Sequence, residues 1–195
     1  RRDMEKRIKA PIDKETAKSL KAGDYVYIDG IIYTARDAAH KRMAETLDQG
    51  EPLPIEIEGT VIYYMGPSPA REGRPIGSAG PTTASRMDKY TPRLLDLGMG
   101  AMIGKGKRSQ AVIDAIVRNG SVYFAAVGGA GAILSKCIKE SAVVAYDFAR
   151  LFLHYIPWAF AQIAPYIVVI VDAPQKADTL RVLALGIDEM LALSH

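Results

Sequence analysis

The sequence predicts an α/β domain whose sheet is partly parallel and covered by helices. Short apolar or β-branched runs alternate with segments at helical spacing, and turn residues separate them. Apolar residues make up 49% and charged residues 24% of the chain, which excludes disordered and low-complexity classes. The length of 195 residues indicates one domain, or two small ones at most. We therefore predict a single domain over residues 13–195, preceded by a basic arm over residues 1–12 that is either solvated or the remnant of a linker to a preceding domain.

Two helices and two strands are predicted before a central loop. They are helix 13–20, strand 25–33, helix 35–47 and strand 61–65. Asp13 is a suitable N-cap for the first helix, and Gly23 ends it. The strand 25–33 is rich in Tyr, Val and Ile, although Asp29-Gly30 inside it is a hairpin signal. Gly50 ends the second helix.

The stretch from residue 66 to residue 83 is rich in glycine and proline. A structureless segment of this length is uncommon in a compact domain and is often functional. Thr91-Pro92 and Ser109 then open two further helices. The predicted elements after the loop are helix 91–98, strand 101–103, helix 110–118, strand 122–127, turn 128–131, helix 132–139 and strand 142–146.

The last third of the chain is unusually apolar. Residues 151–171 contain no Asp, Glu, Lys or Arg, and about 20 apolar residues can span a bilayer. Because Pro157 and Pro165 interrupt the run, we predict an apolar helix, a proline-broken connection and a core strand at 166–171 instead. Residues 177–193 place apolar side chains at helical spacing and predict a helix.

Charge and cysteine content limit the partners of the chain. The 25 basic and 22 acidic residues give a formal charge of +3, which does not favour nucleic acid as a partner. The single cysteine, Cys137, excludes an internal disulfide framework, and one thiolate cannot hold an iron-sulfur cluster or a structural zinc. This cysteine usage fits a reducing, cytoplasmic location.

The first of three loops that carry cations is residues 34–40. A strand passes into a helix there, and such a junction exposes backbone N–H groups and the positive end of the helix dipole to an anion. Arg36 would add a guanidinium group to this site. The open alternative is that Asp37 helps to cap the helix while Arg36 and His40 are surface groups.

The second loop is residues 80–88. Thr82 and Thr83 offer hydroxyl groups, and Arg86 lies about one helical turn after Thr82 if the loop leads into a helix. Such a turn could direct a hydroxyl and a guanidinium at one small anion. The alternative is that the hydroxyl groups only satisfy backbone donors.

The third loop, residues 103–109, places Lys105 between two glycines. The glycine spacing of a P-loop is absent, so a nucleotide is not indicated. A solvated basic loop is the alternative. Together, Arg36, Arg86 and Lys105 would make a pocket for carboxylates, and two arginine clamps would suit a dicarboxylate.

These loops, in this order, resemble the C-terminal domain or separate β subunit of class I fumarases and L-tartrate dehydratases. The segments that carry the resemblance are Gly23-Asp24, 34–42, 80–88, Tyr90-Thr91-Pro92, 102–109 and Gly128-Gly129-Ala130. The resemblance covers roughly residues 20–146 and weakens beyond Asp147. It implies a swivelling β/β/α fold and a hydro-lyase that interconverts fumarate and L-malate.

The resemblance also implies a partner and a cofactor. In such enzymes a 4Fe-4S cluster is bound by three cysteines of an α subunit or N-terminal domain, with one iron acting as a Lewis acid. This chain lacks those cysteines, so we expect it to bind no metal and to supply half of a composite site. A homo-oligomer, or two α and two β subunits, is expected, with neither nucleic acid nor a membrane as partner.

Carried over by position, the resemblance gives each candidate residue a role. Arg36, Arg86 and Lys105 match the cations that hold the substrate carboxylates. Thr82 matches the threonine proposed as the base that removes the C3 proton of malate. The supporting residues are Asp37, His40 and Thr83. A tartrate dehydratase β subunit, or a dicarboxylate-binding module without turnover, is the alternative.

Overall fold

The structure is a computed structural model that describes residues 5–126, 129, 131–138, 142–146, 167–171 and 181–185. Its strands are β1 (Glu5–Ala10), β2 (Tyr25–Thr34), β3 (Val61–Tyr63), β4 (Ala101–Gly104), β5 (Val122–Ala125), β6 (Ala142–Ala145), β7 (Ile167–Val171) and β8 (Arg181–Leu185). Its α-helices are α1 (Lys14–Ser19), α2 (Asp37–Asp48), α3 (Thr91–Asp96), α4 (Gln110–Asn119) and α5 (Gly131–Cys137), and a 3-10 helix covers Ala84–Met87.

One curled sheet contains all of the described strands. Strands β1 to β5 run parallel, with β2 pairing with β1 through its first part and with β3 through its last three residues. Strand β8 is antiparallel to both β5 and β2, so β2, β3, β4, β5 and β8 form a closed ring. Strands β7 and β6 extend the sheet from the second half of β2. The predicted α/β fold with a partly parallel sheet is confirmed.

Both faces of the sheet are buried along β3, β4 and β5. The register places Ile62, Met102 and Tyr123 side by side, and these residues pack against α2, α3 and α4. The next residue of each strand points to the opposite face. There Tyr63, Ile103 and Phe124 form a second cluster. Buried side chains on both faces stabilise this register, so the carboxyl ends of β3, β4 and β5 lie along one edge of the sheet.

The first strand occupies half of the predicted basic arm. The arm prediction over residues 1–12 is wrong for Glu5–Ala10, because these residues pair in register with residues 25–30 of β2. Ala10 and Ile12 are buried in the core. Two of the basic side chains form ion pairs, Lys6 with Asp24 at 2.7 Å and Arg7 with Asp29 at 3.1 Å.

The hairpin signal at Asp29-Gly30 does not produce a turn. Strand β2 continues for ten residues, and Gly30 has φ +103 within it. A Cβ atom at Gly30 would overlap with the backbone oxygen of Ala10. Glycine is therefore used here for the close approach of β1 rather than for a reversal of the chain.

The helix predicted over residues 177–193 is wrong for Arg181–Leu185, which form β8. A short apolar run has no decisive periodicity, and the free edges of β5 and β2 provide partners for a strand. The other residues of that prediction, and the apolar helix and proline-broken connection predicted over 151–165, lie outside the described residues. The strand predicted at 166–171 is confirmed over Ile167–Val171 as β7.

The remaining predicted helices and strands are found close to their predicted bounds. The turn predicted over residues 128–131 lies partly outside the described residues. Asp13 caps α1, since its Oδ1 accepts from the backbone N–H of Thr16 at 2.6 Å. Helix α4 ends at Gly120, which has φ +62. Among the described helices, none combines the length and the apolar character that crossing a bilayer requires.

Candidate functional site

Three loops meet at the carboxyl edge of the parallel strands β2, β3 and β4. Arg36 lies two residues after β2, and Lys105 follows β4 directly. Thr82 lies between the loops, because its backbone N–H donates to the carbonyl of Tyr64, the residue after β3, at 2.7 Å. Lys105 in turn donates its backbone N–H to Thr82 at 3.3 Å. The parallel order of the strands thus brings together loops that are far apart in sequence.

Asp37, the first residue of α2, joins the two predicted arginine clamps. Its Oδ2 forms an ion pair with Nη2 of Arg86, and its Oδ1 lies 3.8 Å from Nε of Arg36. The arginine side chains are 42% and 52% exposed, respectively. A guanidinium group has five N–H donors, so one shared carboxylate leaves donors for a ligand on each arginine. Exposed pairs of this kind contribute about 0–1 kcal/mol, so a bound anion can rearrange them.

The backbone of Lys105 is fixed from both sides. Its N–H donates to Thr82, and its carbonyl accepts from the N–H of Ala84 at 2.8 Å, so that Thr83 and Lys105 form a parallel bridge. Thr83 is exposed and directly precedes the 3-10 helix that carries Arg86, whereas Thr82 is half-buried. The side chain of Lys105 is exposed at this edge. The backbone pairing therefore joins the loop that carries Lys105 to the loop that carries Arg86.

His40 lies beneath this edge and is completely buried. Its Nδ1 is 3.0 Å from the carbonyl oxygen of Arg36, and its ring meets the ring of Tyr64 edge-on at 5.2 Å. Burial lowers the pKa of His40 to about 4, so the ring is neutral near pH 7 and Nδ1–H donates. Nε2 has no hydrogen-bond partner among the described residues. His40 thus contacts the backbone of Arg36 rather than its guanidinium group.

Two residues of the same loops were not predicted for the site, namely Arg108 and Asp88. The Arg108 side chain is fully buried, and its Nε donates to Oδ1 of Asp88 at 2.8 Å. An arginine at the end of a basic loop is typical of a solvated surface. The sequence position of Arg108 therefore predicts an exposed side chain, whereas the structure buries it. The available signal was the presence of one acid and one base at the ends of two candidate loops.

A cavity of about 400 Å³ lies at the opposite, amino edge of β4 and β5. Its lining includes Asp13, Lys14, Glu58, Gly100 and Ser121, and it includes none of the predicted site residues. The described part of the chain contains no group of three or more His, Cys, Asp or Glu side chains placed to hold a metal ion. The carboxyl edge that carries Arg36, Arg86 and Lys105, which we call the cationic edge, and this cavity are therefore separate features.

The fold and the edge define an α/β domain that presents cations from several loops at the carboxyl ends of parallel strands. Residues 2–172 match the family model described as Fumarase C-terminus, and the chain belongs to this family. The resemblance predicted from the loop residues is therefore confirmed.

Curated relatives include both fumarate hydratases and a tartrate dehydratase subunit. The chain is 40% identical over 143 residues to fumarate hydratase 2 of Leishmania major, which is 71% of this chain and 25% of the relative. It is 44% identical over 122 residues to the aerobic class I fumarate hydratase of Salmonella typhimurium, covering 61% and 21%. It is 37% identical over 132 residues to the "Putative L(+)-tartrate dehydratase subunit beta" of Methanocaldococcus jannaschii, covering 66% and 68%. The chain thus spans about a quarter of these fumarate hydratases and two thirds of the β subunit.

Proposed function

We propose that this chain is the β subunit of a class I fumarate hydratase and binds fumarate and L-malate at a site shared with an α subunit. The observation that carries the proposal is the convergence of Arg36 and Arg86 on one carboxylate, that of Asp37. Two guanidinium groups from different loops match the two carboxylates of a small diacid. The hydro-lyase names of the relatives support the class of reaction.

The cations of the edge would have two tasks. Arg36 and Arg86 would bind the carboxylates, and Lys105 would add a third positive charge beside them. A hydrogen bond to a charged group contributes about 1.5–3 kcal/mol. The same charges would stabilise the aci-carboxylate that forms when the C3 proton of malate leaves.

Thr82 would receive the C3 proton in the dehydration direction. The electron pair of the C3–H bond passes into the adjacent carboxylate as the aci-carboxylate. It then forms the C2–C3 double bond when the hydroxyl group leaves C2 as hydroxide. A threonine hydroxyl is a weak base, so it needs nearby cations that favour its alkoxide. The loop pairing supports this role, because it places Thr82 beside Lys105 and four residues before Arg86.

An iron-sulfur cluster does not fit the residues of this chain. The sequence contains one cysteine, and the described residues offer no group of three or more His, Cys, Asp or Glu that could hold a metal ion. The proposal assigns a 4Fe-4S cluster to the α partner. The departure of the C2 hydroxyl is assigned to no residue of this chain.

Reconstitution tests the proposal against its two alternatives. The purified chain is mixed anaerobically with a cluster-loaded α subunit, and hydration of fumarate and dehydration of L-tartrate are measured. Fumarate hydration is the expected result. Tartrate dehydration alone would favour the second candidate, which the Methanocaldococcus relative supports. Failure of both reactions, with diacid binding retained, would favour the binding module.

Arg86→Ala in the reconstituted complex tests the diacid clamp. We expect kcat/KM to fall at least about 100-fold, because hydrogen bonds to a carboxylate are lost. Arg93→Ala is the matched control, since Arg93 is 46% exposed and is also paired with an aspartate, Asp48. It should change kcat/KM less than about twofold. A large loss of thermal stability in Arg86→Ala alone would instead support the capping interpretation of its loop.

A further inference from the structure

Arg108 is the centre of a buried polar cluster beneath the cationic edge. Its guanidinium group has no solvent exposure and lies 5.2 Å from the ring centroids of both Tyr64 and Tyr123. Nε donates to Oδ1 of Asp88 at 2.8 Å, and Nη2 donates to the hydroxyl of Thr91 at 2.9 Å. The aromatic rings on both sides and the directed donors fix this side chain in one orientation.

This cluster connects the two loops that carry the proposed ligands of the diacid. Asp88 directly follows the 3-10 helix that contains Arg86. Its second oxygen, Oδ2, accepts from the backbone N–H of Ser109 at 2.6 Å. Asp88 is therefore held by Arg108 and Ser109, the two residues that end the Lys105 loop. A shift of this carboxylate would move the Arg86 loop relative to the Lys105 loop.

A second contact fixes the Lys105 loop from the other side of the cluster. Tyr123, which packs on Arg108, donates its hydroxyl to the carbonyl of Gly106 at 2.9 Å. Gly106 has φ +86, so the loop turns sharply directly after Lys105. The loop is thus held at Gly106 by Tyr123 and at Ser109 by Asp88. Arg108 contacts both of these side chains.

Burial makes the ion pair of Arg108 different from the others at the surface. Removing one partner of a buried pair leaves an uncompensated charge, whereas an exposed pair loses little. The pair between Arg118 and Asp96 has the same residue types, but it makes two hydrogen bonds and its side chains are 49% and 47% exposed. Asp96 lines the cavity at the opposite edge of the sheet. The pair therefore serves as a matched control, because it has the same charged groups but lies away from the candidate site.

We propose that Arg108 is a positioning residue for the diacid site: through Asp88 it sets the separation of the Arg86 guanidinium and the Lys105 ammonium. Arg108 itself does not touch the substrate, since its side chain is buried. The proposal rests on the proposed function for the identity of the ligand. Its structural part, the coupling of two loops, is independent of that function.

Kinetics of the reconstituted complex give the first test. In Arg108→Met, the KM for the diacid should rise about tenfold or more at a temperature well below unfolding, and Arg108→Lys should recover part of the loss. Arg118→Met should leave KM within twofold. A merely structural residue would lower only the amount of folded enzyme, so a reduced kcat with unchanged KM would overturn the proposal.

Asp88→Asn covers the case in which Arg108→Met does not fold. The substitution keeps the shape of the side chain and leaves Arg108 with its other partners, but it removes the negative charge of a side chain that is only 13% exposed. Its KM should also rise, and a KM equal to that of the wild-type complex would overturn the proposal.

Amide hydrogen exchange on the full chain gives the second test and needs no turnover. Segments 82–89 and 105–109 should exchange at least about tenfold faster in Asp88→Asn than in wild type, and at the wild-type rate in Arg118→Met. If the wild-type complex converts neither diacid, the proposed function fails, and the exchange result still decides the coupling. Unchanged exchange of both segments in Asp88→Asn would overturn it.

Discussion

A single buried imidazole shows how one residue links the stability of this domain to pH. His40 is fully buried, and this desolvation is the main reason why its pKa falls to about 4. The carbonyl of Arg36 opposes the shift by accepting from the ring, while the positive charge of Arg108 adds to it. In the unfolded chain the pKa returns to about 6.5. Folding therefore excludes a proton that the unfolded chain binds.

Acidification should weaken the fold through His40. Above pH 6.5 the ring is neutral in both states; as pH falls from 6.5 towards 4, only the unfolded state gains the proton, and stability is lost at about 1.4 kcal/mol per pH unit. Urea unfolding of wild type and His40→Gln at pH 7 and pH 5 measures this. The wild-type free energy of unfolding should drop about 2 kcal/mol more than that of the variant. An equal decrease in the free energy of unfolding of both proteins would contradict the assignment of this pH dependence to His40.

At the scale of the elements, the sequence predicts an element correctly where residues within that element set its bounds. Asp13 caps α1 and Gly120 ends α4, as their sequence positions predicted. Strands β1 and β8 were missed because each depends on pairing with a distant strand rather than on its own periodicity. A basic segment such as residues 5–10 becomes a strand when β2 offers it a partner.

The candidate site shows the same limit. The types and order of Arg36, Arg86 and Lys105 could be read from the sequence, because each lies in a loop of glycine or small polar residues. The sequence could not show that Asp37 lies between the two arginines, since that contact joins α2 to the 3-10 helix. The burial of Arg108 depends on contacts with three separate elements, so it could not be predicted from the sequence either.

The loop after β3 contributes a surface on which Arg36 lies. A Cβ atom at Gly66 would overlap with Cδ of Arg36 and come within 2.8 Å of its Nη1 and Nε. We expect Gly66→Ala to displace the guanidinium group and to raise the KM for the diacid about tenfold, a loss of about 1.4 kcal/mol. Thermal stability should change little, because the arginine side chain is partly exposed and can move.

A double-mutant cycle separates this effect from a general disturbance of the loop. On an Arg36→Ala background the added methyl group has no arginine to displace, so Gly66→Ala should cause no further rise in KM. Equal increments of KM on both backgrounds would show that the loop acts on the site in some other way.

At the scale of the whole molecule, the parallel sheet has two distinct edges. Loops that follow β2, β3 and β4 bring cations to the carboxyl edge, whereas the amino edge of β4 and β5 borders the cavity. Each edge exposes a lysine, Lys105 at the carboxyl edge and Lys14 beside the cavity. These two residues allow the location of the diacid to be tested with one type of substitution.

Lys105→Ala and Lys14→Ala, each in the reconstituted complex, should have opposite outcomes. Removal of the Lys105 ammonium should raise the KM for the diacid about tenfold to hundredfold, since a hydrogen bond to a charged group contributes about 1.5–3 kcal/mol. Lys14→Ala removes the same charge from the chain and should leave KM within twofold. Because the two variants have equal net charge, a general electrostatic effect on the encounter with the diacid would move both alike. A rise in KM for Lys14→Ala alone would place the diacid in the amino-edge cavity.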